Sequence, residues 1–205
     1  IDYNDKSGYK RLTVMDGLRL KADLGSWKLS SVTSIQMLFD SMNMDQDFTP
    51  ESIFTLNQTQ RQFAATQELI LKPSVHPDWW DSQTGVFLMA KFNRMSAPVD
   101  FLEDGIKSLI LDNANSGIPA DFGRLDILED RFRISSDFDI LSGNLAVYHE
   151  SVLTFGRLML TAGLRLDYEG GRMRYDSNSN IHFILAPVMP DHIPFSTSLE
   201  GNELV

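Results

Sequence analysis

The strongest constraint on the fold is the alternation of apolar and polar side chains over residues 157–169, which read RLMLTAGLRLDYE. Every second residue from Leu158 to Tyr168 is apolar, and the residues between them are mostly charged or small, with Met159 as the large apolar exception. Such alternation predicts a β-strand with one apolar and one polar face. In a soluble sandwich the polar face meets water. In an outer-membrane barrel the apolar face meets lipid and the polar face lines a wet interior.

The composition is that of a folded, acidic protein. The chain has 205 residues, of which 42% are hydrophobic and 22% charged, a balance that argues against disorder. A formal net charge of −10, without any cluster of Lys and Arg, argues against a nucleic-acid partner. The absence of cysteine excludes disulfides and thiol catalysis. No apolar run approaches the roughly 20 residues of a membrane-spanning helix, which leaves a membrane β-barrel open.

The pattern of the whole chain predicts an all-β fold. We expect residues 1–205 to form a single β domain, an antiparallel meander of about six long strands with a short helix in one loop. Gly25 and Ser26 suit a two-residue hairpin turn between the first two strands. The six strands are expected near residues 12–24, 27–39, 60–72, 83–93, 131–155 and 157–169.

Two long loops are predicted between these strands. They cover residues 41–59 and 94–130. In the second loop, apolar residues at helical spacing predict a helix over residues 101–112, and Asp100 with Glu103 resembles a capping box.

The last quarter of the chain shows weaker patterns. Residues 170–180 predict a loop, residues 181–186 a short strand, and the prolines beyond them an irregular tail. Within residues 131–155, Gly143 marks either a hairpin turn or a bulge in one long strand.

The candidate binding residues lie in the first long loop. Asp45, Asp47 and Glu51 could ligate a cation or contact a ligand, because hard cations prefer clustered oxygens. The same acids would also suit an ordinary solvated loop. The four histidines and the serines form no HExxH or GxSxG motif, so we expect no enzymatic activity, no metal centre and no cofactor.

Two further groups of side chains have alternative interpretations. Trp27, Trp79 and Trp80 lie at predicted strand ends, where they would form an interfacial aromatic girdle or cap a soluble sheet. Charged residues of the later strands could contact a ligand from the interior or form ion pairs with neighbouring strands. They are Arg131, Arg133, Arg165, Asp167 and Glu169.

Four segments in a fixed order carry a family resemblance. They read TSIQMLFDSMNMDQDFTPES, TQELIL, WWDSQTGVFL and LAVYHESVLTFGRLMLTAGLRLDYEGG. This order resembles the middle of the barrel of a TonB-dependent outer-membrane receptor, over most of residues 27–171. The matching positions are Thr66–Gln67–Glu68–Leu69, Trp80 with Gly85, Ala146 with Tyr148, and residues 160–169. Ile70, where the family often has Arg, and the acidic DWWD turn depart from the pattern.

The resemblance implies a segment of a 22-stranded barrel with a plugged lumen, located in the outer membrane. The plug, the TonB box and the C-terminal aromatic strand would lie outside this chain, which begins at Ile1. Implied partners are outer-membrane lipid, the TonB complex acting through the plug, and an imported small ligand such as a siderophore or a sugar. Strand parity in such a barrel favours a bulge over residues 142–144 rather than a hairpin.

The resemblance also implies that Trp27, Trp79, Trp80 and Tyr168 lie at the membrane interface. The alternative function is that of a soluble all-β module that binds a lipid or a sugar between its sheets. An apolar stripe over residues 158–168 could not stay in water, since burying each leucine is worth about 1.5–3 kcal/mol. We therefore expect the stripe to be hidden by curling of the sheet, by the helix over residues 101–112, or by self-association.

Overall fold

The computed structural model describes residues 4–186 and 189–204 and shows one antiparallel sheet. The all-β prediction is confirmed. The strands are β1 (Gly8–Asp23), β2 (Trp27–Asp45), β3 (Phe54–Pro73), β4 (Trp80–Ser96), β5 (Val99–Phe101), β6 (Arg124–Ile127), β7 (Phe132–Phe155), β8 (Leu158–Ala186) and β9 (Met189–Leu204).

The long strands follow each other as a meander in the order β1-β2-β3-β4-β7-β8, and β9 pairs with β8. The short strands are additions to this path: β5 pairs with β3 and β7, and β6 pairs with β8. The predicted hairpin of β1 and β2 is confirmed, because Leu12 pairs with Phe39 and Asp23 with Lys28. Among the described residues there are thus seven long strands rather than the expected six.

The two ends of the sheet have different connections. At one end the strands are joined by tight turns, in which Gly25 (φ 78°) and Gly156 (φ 60°) adopt left-handed conformations that favour glycine. The amide of Leu24 donates to the carbonyl oxygen of Trp27 at 2.8 Å and closes the first turn. At the other end lie residues 46–53 and the interval between β4 and β7. We call these the turn end and the loop end.

The strands extend much further toward the loop end than the sequence predicted. The first loop shrinks from residues 41–59 to 46–53, and β8 runs unbroken for 29 residues through the predicted loop at 170–180. The expected irregular tail forms β9. Residues 170–180 are mostly polar on both faces, so hydrophobic alternation could not reveal that part of β8, whereas backbone hydrogen bonding to a neighbouring strand does not depend on polarity.

The prediction for Gly143 is half confirmed. Residues 132–155 form one strand without a hairpin, as strand parity required. The bulge is wrong, because Ser142, Gly143 and Asn144 pair in unbroken register with both β4 and β8. Gly143 pairs directly with Gly170, and the strand continues through both without a shift in register.

The predicted helix exists but is displaced and irregular. It begins as α1 (Glu103–Gly105), continues as a π-helix (Ile106–Leu111) and ends as α2 (Asp112–Ser116). The capping box is wrong, since Leu102 is the N-cap and makes no side-chain capping bond. Asp100 instead lies in β5, where a stronger partner, Arg133, holds its carboxylate.

The two faces of the sheet differ in exposure. Along β3 and β7, side chains on the side of Glu68 and Tyr148 are mostly half-buried, whereas alternate side chains, such as Leu69 and Val147, are exposed. Side chains crowd on the concave side of a curved sheet, so we call the half-buried side the inner face and the other side the outer face. No helix of the described residues has the length and apolarity to cross a membrane.

Buried residues of the described chain include few apolar side chains. The buried hydrophobic residues are Leu102, Ile106, Ala146 and Ile181, whereas Asp45 and Asp100 are the largest side chains with almost no exposed surface. The large apolar side chains lie mostly on the outer face. This distribution is the inverse of a soluble β domain, in which apolar faces pack against each other.

Candidate functional site

The inner face carries a polar cluster between β3, β4, β7 and β8. The hydroxyl of Tyr148 donates to the Glu68 carboxylate at 2.8 Å across β4. Arg165 lies over the rings of Tyr148 and Phe87, with its guanidinium carbon 5.9 and 5.6 Å from the ring centroids. Arg165 also forms a bidentate pair with Asp167 at 2.8 Å. We call Glu68, Tyr148, Arg165 and Asp167 the inner-face cluster.

A glycine makes the inner-face cluster possible. Gly85 pairs with Tyr148, and a Cβ atom at Gly85 would lie 2.2 Å from the Cζ atom of the tyrosine ring. The ring therefore covers the glycine and reaches Glu68 on the next strand. Gly201 and Tyr175 repeat the arrangement between β9 and β8, with 2.0 Å between the corresponding atoms. Aromatic side chains over strand glycines fix the register of a sheet.

The outer face is an apolar band. Leu164, Leu166 and Tyr168 of β8 are 79%, 76% and 74% exposed, in part because residues 158–171 pair with β7 alone among the described strands. The band also covers the paired strands, where Phe63, Leu88 and Leu145 are exposed. Of the three expected ways to hide the stripe, cover by the helix is wrong, since the helical segment packs at the loop end, against residues 52–53 and β6.

Polar side chains inside this apolar band satisfy one another. Gln67 accepts a hydrogen bond from Thr33 at 2.6 Å and donates to Ser31 at 2.9 Å. Nearer the turn end, His149 bonds to the hydroxyls of Thr84 (2.8 Å) and Ser151 (3.0 Å). A polar group in an apolar surrounding is costly unless it has such a partner.

The tryptophans lie at the turn end of the apolar band. Trp27 begins β2 and is exposed on the outer face. The rings of Trp79 and Trp80 stack with centroids 6.3 Å apart, and the Trp80 indole donates to Ser151 at 3.1 Å. Tyr168 lies on the same outer face but further toward the loop end, paired with Leu145. The positions agree with an aromatic girdle, and that assignment stays a prediction.

The acids of the first loop organise the loop itself. One Asp47 oxygen accepts from the amide and hydroxyl of Thr49 at 2.9 and 2.7 Å, and the other accepts from the amides of Ile53 and Phe54. Partial burial raises the pKa of Asp47, but these hydrogen bonds outweigh it and hold the pKa below its usual value.

The other two acids of the candidate set do not join Asp47. Asp45 is fully buried, and one of its oxygens accepts from the amide of Asp5 at 3.3 Å. Glu51 is exposed at the loop tip. Within residues 4–186 and 189–204 no three acidic or histidine side chains are close enough to hold a metal ion. A role in contacting an imported ligand stays a prediction for all three.

An ion pair between a half-exposed arginine and a buried aspartate stabilises the second loop. Arg133 of β7 makes a bidentate pair with Asp100 of β5 at 2.7 and 2.8 Å, and Asn57 of β3 adds a bond at 3.3 Å. The Asp100 side chain is 2% exposed. Its bond with Arg133 holds the pKa of Asp100 below its usual value despite burial. This confirms the cross-strand alternative for Arg133, whereas Arg165 pairs along its own strand with Asp167.

Some contacts at the loop end had no signal in the sequence. Glu129 binds the ring and amide of His182, with 2.5 Å between the carboxylate and Nδ1. The amides of Leu102 and Ser52 bond to Ile53 and Asp104, which holds the two loops together. The partners in these contacts are 49 to 53 residues apart in sequence, so only the strand register could have revealed them.

Comparison with known proteins supports the fold. No family model matches this sequence, and no curated protein matches it. The crystal structure of the ferric yersiniabactin uptake receptor FyuA from Yersinia pestis is similar, with a TM-score of 0.53 and 14% sequence identity. The match covers 98% of this chain and 26% of that receptor, so the chain spans about a quarter of the length of the solved structure. At this identity the likeness shows the fold alone, an antiparallel β architecture.

Proposed function

We propose that this chain forms part of the barrel wall of a TonB-dependent receptor, which imports a scarce nutrient across an outer membrane. The observation that carries the proposal is the inverted distribution of side chains: the apolar outer face is exposed and the charged inner face is half-buried. Lipid is the environment in which that distribution is stable. The seven long strands, of 16 to 29 residues, exceed the roughly 9–11 residues that cross a bilayer.

The soluble binding module fits the structure less well. Such a module would enclose apolar side chains between two sheets. Here the described residues form one sheet, and its large outer-face side chains, such as Phe63 and Leu88, are exposed. Exposed apolar patches beyond a few hundred Å² are rare on soluble monomers.

In the proposed receptor each surface has a separate task. Trp27, Trp79, Trp80 and Tyr168 lie at the membrane interface, where amphipathic rings are favoured. The inner-face cluster faces a plug through which the TonB complex supplies energy. The loop end faces the cell exterior and receives the nutrient, a siderophore, a sugar or a similar molecule.

Of the three candidate acids, Asp45 ends β2 and is buried, whereas Glu51, exposed in the loop that follows, is the most accessible to a ligand. Asp47 acts indirectly, by fixing the shape of the loop tip through its four hydrogen bonds.

Site-directed labelling tests the placement, because the chain has no cysteine of its own. We would introduce Glu51→Cys in the first loop, Val75→Cys in an exposed turn and Leu88→Cys on the outer face, each in the full-length protein in intact cells. A membrane-impermeant maleimide should label position 51 in intact cells and position 75 only after the outer membrane is opened. Position 88 should react only with a lipid-soluble reagent.

Met89→Cys is the matched control for Leu88→Cys, since it lies next to it on the inner face. It should be protected from the lipid-soluble reagent. Equal labelling of positions 88 and 89 by the impermeant reagent would contradict a barrel wall. Labelling of position 75 in intact cells would reverse the proposed orientation.

A further inference from the structure

Two cations lie where the apolar band of the outer face ends, on strands β1 to β3. Lys10 pairs with Ser41, and Ser41 pairs with Thr59, which places one amine and two hydroxyls in a row across the strands. In the next row toward the turn end, Phe39 pairs with Arg61. All five side chains are exposed.

These residues line a cavity of about 380 Å³. Neither Lys10 nor Arg61 forms an ion pair with any of the described residues. The carboxylate nearest to them along the chain, Asp40, points to the inner face, where Arg11 and Tyr9 bind it at 2.9 and 3.2 Å. On the outer face of these strands the next acids are Asp16 and the fully buried Asp45, each at least four residues, or about 13 Å, along a strand.

The rest of the same rim is electrically balanced. Above the apolar band on β4, β7 and β8, Arg94 bonds to Asp139 at 2.7 Å. Arg172 and Arg174 share their surface with Asp137, Asp176 and Glu200. Among the described outer-face cations of this rim, Lys10 and Arg61 thus differ from Arg94, Arg172 and Arg174 in sharing no surface with an outer-face carboxylate.

We propose that Lys10, Ser41, Thr59 and Arg61 bind the phosphate group of a phosphorylated membrane lipid, while Leu12 and Phe39 contact its acyl chains. Two cations and two hydroxyls match the charge and acceptors of a phosphate. The apolar band begins directly beside them, because Leu12 pairs with Phe39. A headgroup bound there keeps its acyl chains against the band in the leaflet nearest the loops, an arrangement that a free phosphate ion would not use.

The proposal rests on the proposed function, since it requires the outer face to lie in lipid. The test uses the full-length protein in an uncharged maltoside detergent, titrated with dioleoylphosphatidic acid and observed by native mass spectrometry. Each basic residue near a membrane surface contributes about a fivefold increase in affinity for an anionic lipid. Lys10→Gln with Arg61→Gln should therefore weaken binding about 25-fold, whereas Lys10→Arg with Arg61→Lys should retain it.

Lys28→Gln with Lys72→Gln is the matched control. These two lysines pair with each other on the inner face at the turn end, so the change removes the same charge from β2 and β3 without touching the proposed site. We expect less than a twofold effect on lipid affinity. Dioleoylphosphatidylcholine and glycerol 3-phosphate should bind more weakly than phosphatidic acid.

Three results would overturn the site: an equal loss in the control pair, no loss in the Lys10 and Arg61 pair, or glycerol 3-phosphate binding as tightly as the lipid. Each of them leaves the labelling of Leu88→Cys by a lipid-soluble reagent unchanged. Failure of that labelling would instead contradict the proposed function, so the two failures are distinguishable.

Discussion

The two faces of the sheet differ in the polarity and exposure of their side chains, although both belong to the same strands. On the outer face, exposed leucines and aromatic residues form a band whose few polar groups bond to each other. On the inner face, Tyr148 contacts both Glu68 and Arg165. Gly85, which has no side chain, leaves room for the ring of Tyr148. The difference teaches that exposed side chains of the outer face are apolar while packed side chains of the inner face are polar, the distribution expected of the proposed barrel wall.

The largest expected effect comes from placing a charge on the outer face. Leu88→Arg lies within the apolar band and should destabilise the protein in phosphatidylcholine vesicles by about 2–4 kcal/mol, because a cation near the bilayer midplane is costly. Met89→Arg, its inner-face neighbour, should cost less than about 1 kcal/mol. Urea unfolding followed by tryptophan fluorescence measures both. Equal costs would erase the distinction between the faces.

The next effect tests packing on the inner face. Gly85→Ala should displace the ring of Tyr148 and break its bond to Glu68, at a cost of about 1–3 kcal/mol. Gly163→Ala is the control, since its Cβ atom would only reach ordinary contact, 3.6 Å from the His149 carbonyl oxygen. In a double-mutant cycle, Tyr148→Ala should abolish most of the Gly85→Ala cost. Full additivity of the two changes would contradict the ring-over-glycine contact.

A smaller effect is expected at the loop end, in the ion pair of Asp100 and Arg133. Arg133→Gln leaves the buried Asp100 carboxylate without its main partner and should cost about 1–2 kcal/mol, reduced because the Arg133 side chain is half exposed. Arg131→Gln should cost less, since Arg131 acts on Asp100 only through its charge. Unfolding in denaturant compares the two variants.

The same ion pair predicts a pH dependence. The pKa of Asp100 is lowered in the folded chain from its ordinary value of 3.8. A lowered pKa means that the stabilisation is fully present above pH 3.8 and is lost as the pH falls through the folded pKa. The difference in stability between wild type and Arg133→Gln should therefore shrink below about pH 4. A difference that stays constant down to pH 2 would contradict the assignment.

The sequence revealed those parts of the fold in which one face of the strand is apolar and the other is polar. Residues 12–24 and 157–169 show clear alternation, and they form strands that pair as predicted. Residues 170–180 lie in the same strand as 157–169 but are mostly polar on both faces, so their pattern predicted a loop, whereas residues 181–186 were correctly predicted to be a strand. The helix was predicted because Leu102 and Ile106 pack inward at helical spacing.

The site was less predictable because it depends on register. Glu68 and Tyr148 are 80 residues apart, and Asp100 and Arg133 are 33 apart, so no local pattern connects them. The capping box at Asp100 failed for the same reason: a cross-strand arginine competes for the carboxylate more strongly than a backbone amide. Local residue types thus predicted which groups need partners, and the strand order decided which partners they have.

The smallest expected effect concerns the polar exceptions on the outer face. Thr33→Val removes the hydroxyl that donates to Gln67 at 2.6 Å and should cost about 0.6 kcal/mol in lipid, a typical value for a side-chain hydrogen bond within a membrane. Thr33→Ser keeps the hydroxyl and should cost less than Thr33→Val. Unfolding in phosphatidylcholine vesicles is the measurement for both. Valine is more apolar than threonine, so a stabilising effect of Thr33→Val would mean that the hydrogen bond with Gln67 contributes no net stability. The outer face would then tolerate its polar residues, and their pairing with each other would not be required for stability.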